Sequence, residues 1–343
     1  MERFLTPNDV LRHAETLAQM VYLKDCEKRK KVILRKDKYL QDTTYTLKYL
    51  STSLMLDEPM IFTNYMQWFG SLAYFLRFNL ESFKHHFDVI HEVMDEQLPF
   101  DVSKKYHSIL HQGQSRFEQA YQNVTEDSLD QDVFLKALLL MKTDQAYDVI
   151  QKEMAQGMSI QDVYLKILQP TLYKIGELWH QQKISVAKEH YMTAAIQNII
   201  GRLYDKLFSN RKEAQYSITA VCAGDELHEI GMRMVADFFE LSDWDSYFLG
   251  SNIPIQVVID HLIETPTDVL AISATTSNNL IDVQRLIDAV KKHPLLDRMK
   301  ILLGGRVFNQ TPDLWKKMNA DGHARDAEQA VLIATLLVGE KHL

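Results

Sequence analysis

The stretch Cys222–Gly231, C-A-G-D-E-L-H-E-I-G, decides the fold of the second half of this chain. The residues before it, Ser217–Val221, form a short apolar run with β-branched side chains, which predicts a buried strand. After it, apolar residues from Ile230 to Phe238 recur at helical spacing. His228 is therefore expected in a strand-to-helix turn, at the sheet edge where open α/β domains bind ligands.

The alternation of strand and helix continues over residues 215–340. Short apolar runs predict further strands at Asp245–Leu249, Val269–Ser273 and Ile301–Leu303, and helical patterns lie between them. Strands that alternate with helices form parallel sheets through crossover connections. This region therefore predicts a Rossmann-like domain of the flavodoxin type with a parallel sheet.

Two helical regions precede that domain. Residues 130–210 predict a four-helix bundle because their helical segments are joined by short links, and Pro170 is expected to kink or restart one helix. Residues 1–125 predict an all-helical domain, whose clearest helix is Leu80–Gln97, ended by Pro99. The predicted fold class is therefore α plus α/β in three domains.

The charge balance argues against nucleic-acid binding. A formal net charge of −8 gives no general basic face, and no helix-turn-helix pattern precedes the rest of the chain. The basic stretch Lys24–Lys38 is expected to be a solvated helix face. We therefore expect no direct contact with DNA.

Cysteine usage and hydropathy bear on the compartment. Cys26 and Cys222 are too far apart in sequence to suggest a disulfide framework, which favours a reducing cytoplasm. No apolar run approaches the ~18 residues that span a bilayer, and the N-terminus lacks a signal-peptide profile. The sequence therefore predicts a cytoplasmic protein without a membrane segment.

The motif around His228 points to a ligand. Glu226 lies two residues earlier and can accept the second ring N–H, which would fix the tautomer of a metal-ligating imidazole. A histidine in such a turn is by itself more often a surface or capping residue. The spacing Glu-x-His-x-x-Gly, however, resembles the cobalamin-binding motif of methionine synthase-like domains, in which Asp is more common at the Glu226 position. The resemblance implies that His228 ligates cobalt from below in place of dimethylbenzimidazole.

The loops that follow the later strands resemble the tail-binding loops of the same family. The resemblance implies that Ser273 contacts the nucleotide tail and that Gly304 and Gly305 line the slot that the tail enters. No Gly-x-Gly-x-x-Gly loop is present, which disfavours a nicotinamide enzyme. The cobalamin contacts implied in this domain are Asp225, Glu226, Leu227, His228, Glu229, Ile230, Gly231, Leu249, Gly250, Ser273, Thr275, Gly304 and Gly305.

A second motif lies in the predicted bundle, where nine residues separate Trp179 from Glu189-His190. Taken singly, such a tryptophan is a core anchor and such a Glu-His pair faces solvent. The spacing, directly before a cobalamin-type domain, resembles the cap of CarH-type photoreceptors, which hold adenosylcobalamin. The resemblance implies that Trp179 covers the upper face of the cofactor, with Glu189 beside it. It also implies that His190 becomes the upper cobalt ligand after light has broken the cobalt–carbon bond.

The segment from Tyr65 to Phe87 is dense in aromatic residues, with Arg77, His85 and His86 among them. An aromatic stripe at helical spacing usually packs in a core. Its place before a cobalamin module also resembles the photocobilins, which bind a bilin such as biliverdin as a second chromophore. The bilin contacts to be tested are Tyr65, Trp68, Arg77, His85 and His86, with Cys26 as a site for covalent attachment. An output or dimerisation domain is the other interpretation.

The function predicted from these motifs is a cobalamin-dependent photoreceptor, with adenosylcobalamin and a bilin as chromophores. It would not be an enzyme, and its signal would pass through a homo-oligomer or a protein partner. The alternatives are a corrinoid carrier of a methyltransferase system and a light-insensitive cobalamin sensor. The sensor is preferred because a methyl carrier needs an open upper face, without a histidine poised above cobalt.

Overall fold

The computed structural model describes residues 6–30, 32–33, 35–125, 132–207 and 213–339. The domain ends predicted at residues 130, 210 and 340 lie outside these ranges. The chain divides into two compact units, the helical unit and the sheet unit. The helical unit comprises Met1–Val124, Thr276–Ile281 and Gln310–Met318, and the sheet unit comprises Thr125–Thr275, Asp282–Asn309 and Asn319–Leu343.

Helices form the first part of the helical unit, as predicted. Apolar and aromatic side chains of these helices share one core, and Gly70 and Gly113 allow two of them to approach closely. A Cβ on Gly70 would overlap the carbonyl oxygen of Phe117, and one on Gly113 would overlap the Phe62 ring. The helices are α1 (Pro7–Arg12), α2 (Ala14–Arg29), α3 (Lys36–Met55), α4 (Pro59–Phe75), α5 (Leu80–Gln97) and α6 (Phe100–Gln122).

The prediction for the basic stretch Lys24–Lys38 is wrong in part. Asp25 within it is fully buried. Lys24 and Lys28 form ion pairs with Glu96 and Glu92 on α5. The stretch thus contributes to packing between helices because Asp25, one of its three acidic residues, faces inward and two of its lysines meet carboxylates.

A four-helix bundle begins the sheet unit. Its third helix is continuous from α9 through a π-helical segment to α10. The π-helical segment, Tyr164–Leu168, lies directly before Pro170, so the wider turn accommodates the break that the proline was predicted to cause. The helices are α7 (Val133–Leu139), α8 (Thr143–Ala155), α9 (Ile160–Val163), α10 (Gln169–His180) and α11 (Val186–Leu207).

The sheet has five parallel strands in the order β2-β1-β3-β4-β5. This is the flavodoxin-like order, so the predicted fold class is confirmed. The topological switch point lies between β1 and β3, where their carboxyl ends form a crevice. The strands are β1 (Ser217–Cys222), β2 (Asp245–Gly250), β3 (Val269–Ser273), β4 (Lys300–Gly304) and β5 (Gly322–His323).

The helices that follow β1 in the chain are α12 (Ile230–Leu241), α13 (Ile255–Glu264), α14 (Leu280–Lys292), α15 (Arg306–Gln310), α16 (Leu314–Lys317) and α17 (Ala327–Gly339), of which α16 belongs to the helical unit. Helix α12 has two apolar faces. Met232, Ala236 and Phe239 pack in the core of the sheet, whereas Met234 and Phe238 pack in the core of the bundle. The bundle and the sheet are therefore joined through α12.

In the part of the chain that the structure describes, no helix is both long and apolar enough to cross a membrane.

Candidate functional site

His228 lies in the turn between β1 and α12, as the sequence predicts. Its side chain is 64% exposed. The ring Nδ1–H donates a hydrogen bond to Glu226 Oε1, which also accepts the His228 backbone N–H at 3.0 Å. No hydrogen bond from Nε2 to another described residue accompanies these two. The ring is thus held at one nitrogen, and the other faces outward.

The carboxylate that holds His228 is almost completely buried, with Glu226 only 2% exposed. Burial alone would raise its pKa. The hydrogen bonds from the His228 ring and the Thr275 backbone outweigh burial and lower the pKa of Glu226 to about 2. The bond to Glu226 in turn raises the pKa of His228. Glu226 is therefore a fixed anion that orients the imidazole.

Glu226 also links the two strands that flank the switch point. Its Oε2 accepts the backbone N–H of Thr275, which follows β3, at 2.6 Å. Because Glu226 itself follows β1, its two oxygens tie both loops together at the carboxyl edge of the sheet. This is where α/β sheets of this order bind ligands.

The loop after β2 is joined to the same turn through Glu229. Ser251 Oγ donates to Glu229 Oε2 at 2.9 Å. Gly250 has φ +82°, and a Cβ there would lie 3.3 Å from the same oxygen. The predicted residues Glu229 and Gly250 are therefore neighbours, and glycine suits the second position because L side chains rarely adopt its backbone conformation.

The loops after β3 and β4 approach each other at backbone distance. Gly305 has φ +98°, and a Cβ there would overlap the carbonyl oxygen of Ala274. The Ala274 backbone N–H donates to Gly304 O at 3.1 Å. Ser273 and Gly304 are register partners at the ends of their strands. Gly305 thus lets the loops after β3 and β4 meet backbone to backbone, a contact that we call the cradle, whereas a Cβ on Gly304 would make only an ordinary contact with Ala324 O at 3.5 Å.

The residues predicted on the bundle share a pattern with His228. His190, 76% exposed on α11, has its Nδ1 paired with Glu189 Oε2. Glu189 Oε1 accepts a hydrogen bond from Thr193 at 3.0 Å. Trp179, near the end of α10, is half-buried against the bundle core. The carboxylate of Glu189 also contributes to raising the pKa of His228, so the two histidine–glutamate pairs interact electrostatically.

The other residues predicted in the sheet unit have varied environments. Leu227 and Asp225 are exposed beside His228, and Leu249 is half-buried at the end of β2. Ile230 is buried in the core of the bundle. Gly231 has open space where a Cβ would be, so it is not required for a close approach to described atoms.

The bilin candidates on α4 and the turn after it do not converge. Tyr65 is buried and stacks on Tyr49 at a centroid distance of 4.0 Å. Trp68 lies 6.2 Å from Tyr65, between ring centroids. Arg77 is exposed in a left-handed turn after α4. The aromatic stripe thus packs as a core, in agreement with its usual interpretation.

The bilin candidates on α5 belong to a polar cluster. His85 Nε2 lies 3.0 Å from Asp25 Oδ1, and His86 Nδ1 lies 2.8 Å from the Tyr39 hydroxyl. Cys26 is half-buried in the same helix as Asp25. These side chains are engaged with neighbours inside the helical unit.

Sequence reasoning missed three contributors to the site. They are Ser251, Ala274 and Arg306, whose charge opposes protonation of His228. Ser251 could have been found from its place directly after β2. The approach of Ala274 to Gly305 could not, because it depends on the spacing of neighbouring strands.

Two family models match the sheet unit. Each is described as a B12 binding domain, and they match residues 131–204 and 216–332. The chain therefore carries a cobalamin-binding module. The bundle and the Rossmann-like domain are its two parts, so this portion of the predicted resemblance is confirmed.

Known corrinoid proteins are similar to this module. Dimethylamine corrinoid protein 3 of Methanosarcina acetivorans is 25% identical over 206 residues, which cover 59% of this chain and 93% of that protein. A dimethylamine corrinoid protein of Methanosarcina barkeri is 28% identical over 114 residues, covering 33% of this chain and 52% of that protein. The chain thus spans most of the first relative and about half of the second.

One solved structure supports the fold of the module. The monomethylamine corrinoid protein of Methanosarcina barkeri is similar over 60% of this chain and 97% of that chain, with a TM-score of 0.53 and 22% identity. At this identity the likeness concerns the fold alone.

The residues present fit a corrinoid. His228 offers an outward imidazole nitrogen with its tautomer set by a buried carboxylate, which is the usual arrangement of a metal-ligating histidine. The close approach of Gly305 to Ala274 brings the loops after β3 and β4 together at the same carboxyl edge of the sheet. His228 would hold the cobalt, and the crevice at the carboxyl ends of β1 and β3 would receive the nucleotide tail.

Proposed function

We propose that this protein binds a corrinoid with His228 as the lower cobalt ligand and serves as a corrinoid carrier, rather than as an enzyme by itself. The observation that carries the proposal is the relay from the Thr275 N–H through Glu226 to the His228 ring. This relay spans the switch point of the sheet and leaves Nε2 outward. A bound corrinoid supplies a cobalt–carbon bond that can be formed and broken.

The chain's own residues would set the orientation and reactivity of that ligand. Glu226 keeps a proton on Nδ1, so in the neutral ring the free lone pair lies on Nε2, the nitrogen that would coordinate cobalt. The low pKa of Glu226 keeps it ionised across the physiological range. Because the Thr275 backbone also holds it, the carboxylate cannot rotate away from the ring without breaking a buried hydrogen bond.

The comparisons favour a carrier over a photoreceptor. The relatives described above are corrinoid proteins named for dimethylamine and monomethylamine. By analogy, the partner of this chain would be a methyltransferase that exchanges a methyl group with the bound corrinoid.

The lower-ligand assignment is tested with hydroxocobalamin and the full chain. We expect His228→Gln to abolish the absorbance spectrum of histidine-ligated cobalamin. It should also lower affinity by more than the ~10- to 100-fold loss that is typical when only the hydrogen-bond partner of a metal-ligating histidine is removed. His293→Gln, a half-exposed histidine of the same unit, is the matched control. Wild-type binding by His228→Gln would contradict the proposal.

A light-sensing function is the second candidate, and a specific arrangement favours it. Glu189 holds His190 at Nδ1, as Glu226 holds His228, and Nε2 of His190 is left outward on an exposed ring. Glu189 also influences the protonation of His228. A carrier has no evident use for a second oriented imidazole above its cofactor, whereas an adenosylcobalamin photoreceptor would use it to ligate cobalt after illumination.

One spectroscopic experiment separates these candidates. The purified chain is given adenosylcobalamin and its absorbance is recorded in darkness and after green light. A photoreceptor would settle into a bis-histidine spectrum that His190→Ala abolishes. A carrier would show no stable bis-histidine product, and His190→Ala would leave methyl exchange with a partner methyltransferase unchanged. A light-insensitive sensor would show ligand-dependent oligomerisation that is identical in darkness and light.

The bilin hypothesis can be tested in the same preparation. Tyr65 and Trp68 pack in the core of the helical unit, and His85 and His86 are engaged with Asp25 and Tyr39, so the geometry lends it no support. Added biliverdin would have to give a red-absorbing complex that His86→Ala weakens. Absence of a complex would leave an output or dimerisation role for this unit.

A further inference from the structure

A buried polar link joins the bundle to the sheet within the sheet unit. Asp237, on α12, is 2% exposed. Its Oδ2 accepts the hydroxyl of Tyr164 at 2.9 Å, and its Oδ1 accepts Arg233 Nε at 3.0 Å. Tyr164 belongs to the bundle and is itself fully buried. One carboxylate therefore bonds a residue of its own helix and a residue of the bundle.

The surroundings make this link costly to break. Burial raises the pKa of Asp237, although Arg233 and Tyr164 partly oppose that effect. A buried carboxylate that loses a partner keeps its desolvation penalty without the compensating bond. The Arg233 guanidinium is also fixed, since it lies over the rings of Tyr204 and Phe248 at 5.1 and 5.6 Å. The carboxylate is therefore held in one orientation.

The two ends of the link lie in the π-helical segment and in the helix that follows the His228 loop. Tyr164 is the first residue of the π-helical segment, and π-helical turns occur frequently at functional sites. Helix α12 begins two residues after His228, and Arg233 N–H bonds to the carbonyl of Glu229 in its first turn. The helix that carries Asp237 is thus directly continuous with the loop that presents His228.

Apolar packing alone would not fix the position of the bundle on α12. Met234 and Phe238 of α12 contact the bundle core through non-directional interactions. The Tyr164–Asp237 bond is directional and is satisfied in only one register. Among the bundle–α12 contacts, this hydrogen bond therefore selects the arrangement in which the bundle is docked.

We propose that Asp237 is a positioning residue that docks the bundle on α12 through Tyr164 and thereby limits how fast a corrinoid reaches His228. This inference rests on the proposed corrinoid-binding function. Loosening the link would let the bundle move away from α12 more often. A corrinoid would then enter faster, although the ligand residues are unchanged.

The test uses the full chain and two variants with matched controls. Tyr164→Phe removes only the hydroxyl, and Asp237→Asn removes the charge. The controls are Tyr173→Phe, which changes an exposed tyrosine of α10, and Asp162→Asn, which changes a partly exposed carboxylate paired with Lys166 on the bundle surface. Tyr164→Phe alone decides the outcome should Asp237→Asn fail to fold.

Two measurements are made. Hydrogen exchange of the chain without cofactor is followed over residues 164–168 and 230–241, and the association rate of hydroxocobalamin is followed by stopped flow. We expect exchange in both segments and the association rate to rise about tenfold in the two variants, which corresponds to about 1.4 kcal/mol of docking energy, and to stay within twofold of wild type in the controls.

The outcomes separate docking from the proposed function. Unchanged exchange and association in Tyr164→Phe would overturn the inference. A purely structural role would lower global stability and leave the association rate as in wild type, which would overturn it equally. Faster hydrogen exchange in the variants of a chain that binds no hydroxocobalamin would support the docking link. It would contradict both the role of the link in corrinoid entry and the proposed function.

Discussion

Both units contain a buried carboxylate beside histidine, and the two arrangements differ in what they leave open. In the sheet unit, Glu226 holds one nitrogen of His228, and the rest of the ring faces outward. In the helical unit, Asp25 accepts Tyr39 OH at 2.9 Å and lies beside Arg29 and His85. Tyr39 in turn reaches His86.

The comparison shows that a link between a histidine and a buried carboxylate, direct or through a tyrosine, does not by itself indicate a metal ligand. His86 lies within reach of Tyr39 at Nδ1 and of Thr43, 3.4 Å from its Nε2, so both ring nitrogens are directed at the helical unit. In His228 one nitrogen bonds to Glu226, and the proposed function assigns the other to cobalt. The distinguishing property is the direction of the second nitrogen.

Removal of the carboxylate of the helical unit should have the largest effect on stability. Asp25→Ala would leave Arg29, Tyr39 and His85 without their shared partner, at a cost of about 3 kcal/mol in the free energy of unfolding. Urea denaturation measures the loss, with the exposed Asp88→Ala as control. Hydroxocobalamin affinity should not change. A fall in affinity would break the distinction between a structural cluster and a ligand site.

Each unit also contains a glycine at a close backbone approach, Gly305 in the sheet unit and Gly70 in the helical unit, and these allow a second test. Gly305→Ala would force a Cβ against the Ala274 carbonyl at a positive φ and should cost about 2 kcal/mol while impairing corrinoid binding. Gly70→Ala should destabilise the helical unit by a similar amount without affecting binding. Calorimetry and hydroxocobalamin titration report the two effects separately.

The control for these glycines is Gly201→Ala on α11, where a Cβ meets open space. It should stabilise the chain by up to ~1 kcal/mol through helix propensity. Normal corrinoid binding by Gly305→Ala would show that the loops after β3 and β4 do not form the cradle.

A smaller effect is expected from neutralising the anion beside His228. Glu226→Gln keeps the shape but weakens the bonds to the ring and to the Thr275 N–H. Affinity for hydroxocobalamin should fall by ~10-fold or more, as is usual for such partners of metal-ligating histidines. Equilibrium titration tests this against the exposed Glu264→Gln. An unchanged affinity would show that Glu226, like Asp25, contributes to structure and not to ligand binding.

The smallest expected effect is a loss of folding stability at acid pH through His86. Burial lowers the pKa of His86 to about 4; the charge of Asp25 opposes this shift, whereas Arg29 and His85 add to it. The unfolded chain binds a proton near pH 6.5, so stability is complete above that pH and is lost as pH falls toward 4. Allowing for the partial exposure of the ring, the loss is about 1 kcal/mol.

This prediction is checked by urea denaturation at pH 7.5 and 4.5. His86→Gln removes the titrating group, so its stability should depend less on pH than that of wild type. A pH dependence that is the same in both proteins would show that His86 has the same pKa in the folded and unfolded chain, as an open ring would.

Local patterns predicted much of this fold. The strand Val269–Ser273 and the helix Leu80–Gln97 coincide with their predictions because continuous apolar runs and i, i+3, i+4 spacing are local properties. The turn that presents His228 was also predicted, since it follows directly from strand, motif and helix in order. Strand β5, Gly322–His323, was missed because two residues carry no pattern.

Long-range contacts could not be predicted in the same way. The bond between Glu226 and Thr275 joins residues 49 positions apart and depends on which strands are neighbours. Asp25 stands in a basic run, so its sequence context suggested solvent, yet the packing of α2 buries it completely. The aromatic segment allowed both a core and a pocket, and only tertiary structure distinguishes them.

The direction in which the Trp179 ring points depends on the number of residues in the π-helical segment Tyr164–Leu168. A π-helical turn contains an extra residue compared with an α-helical one, and each residue of an α-helix rotates the next by about 100°. A single-codon deletion there would swing Trp179 to another side of its helix without altering any amino acid near the crevice. Insertions and deletions in this segment could therefore change the direction of Trp179 during evolution.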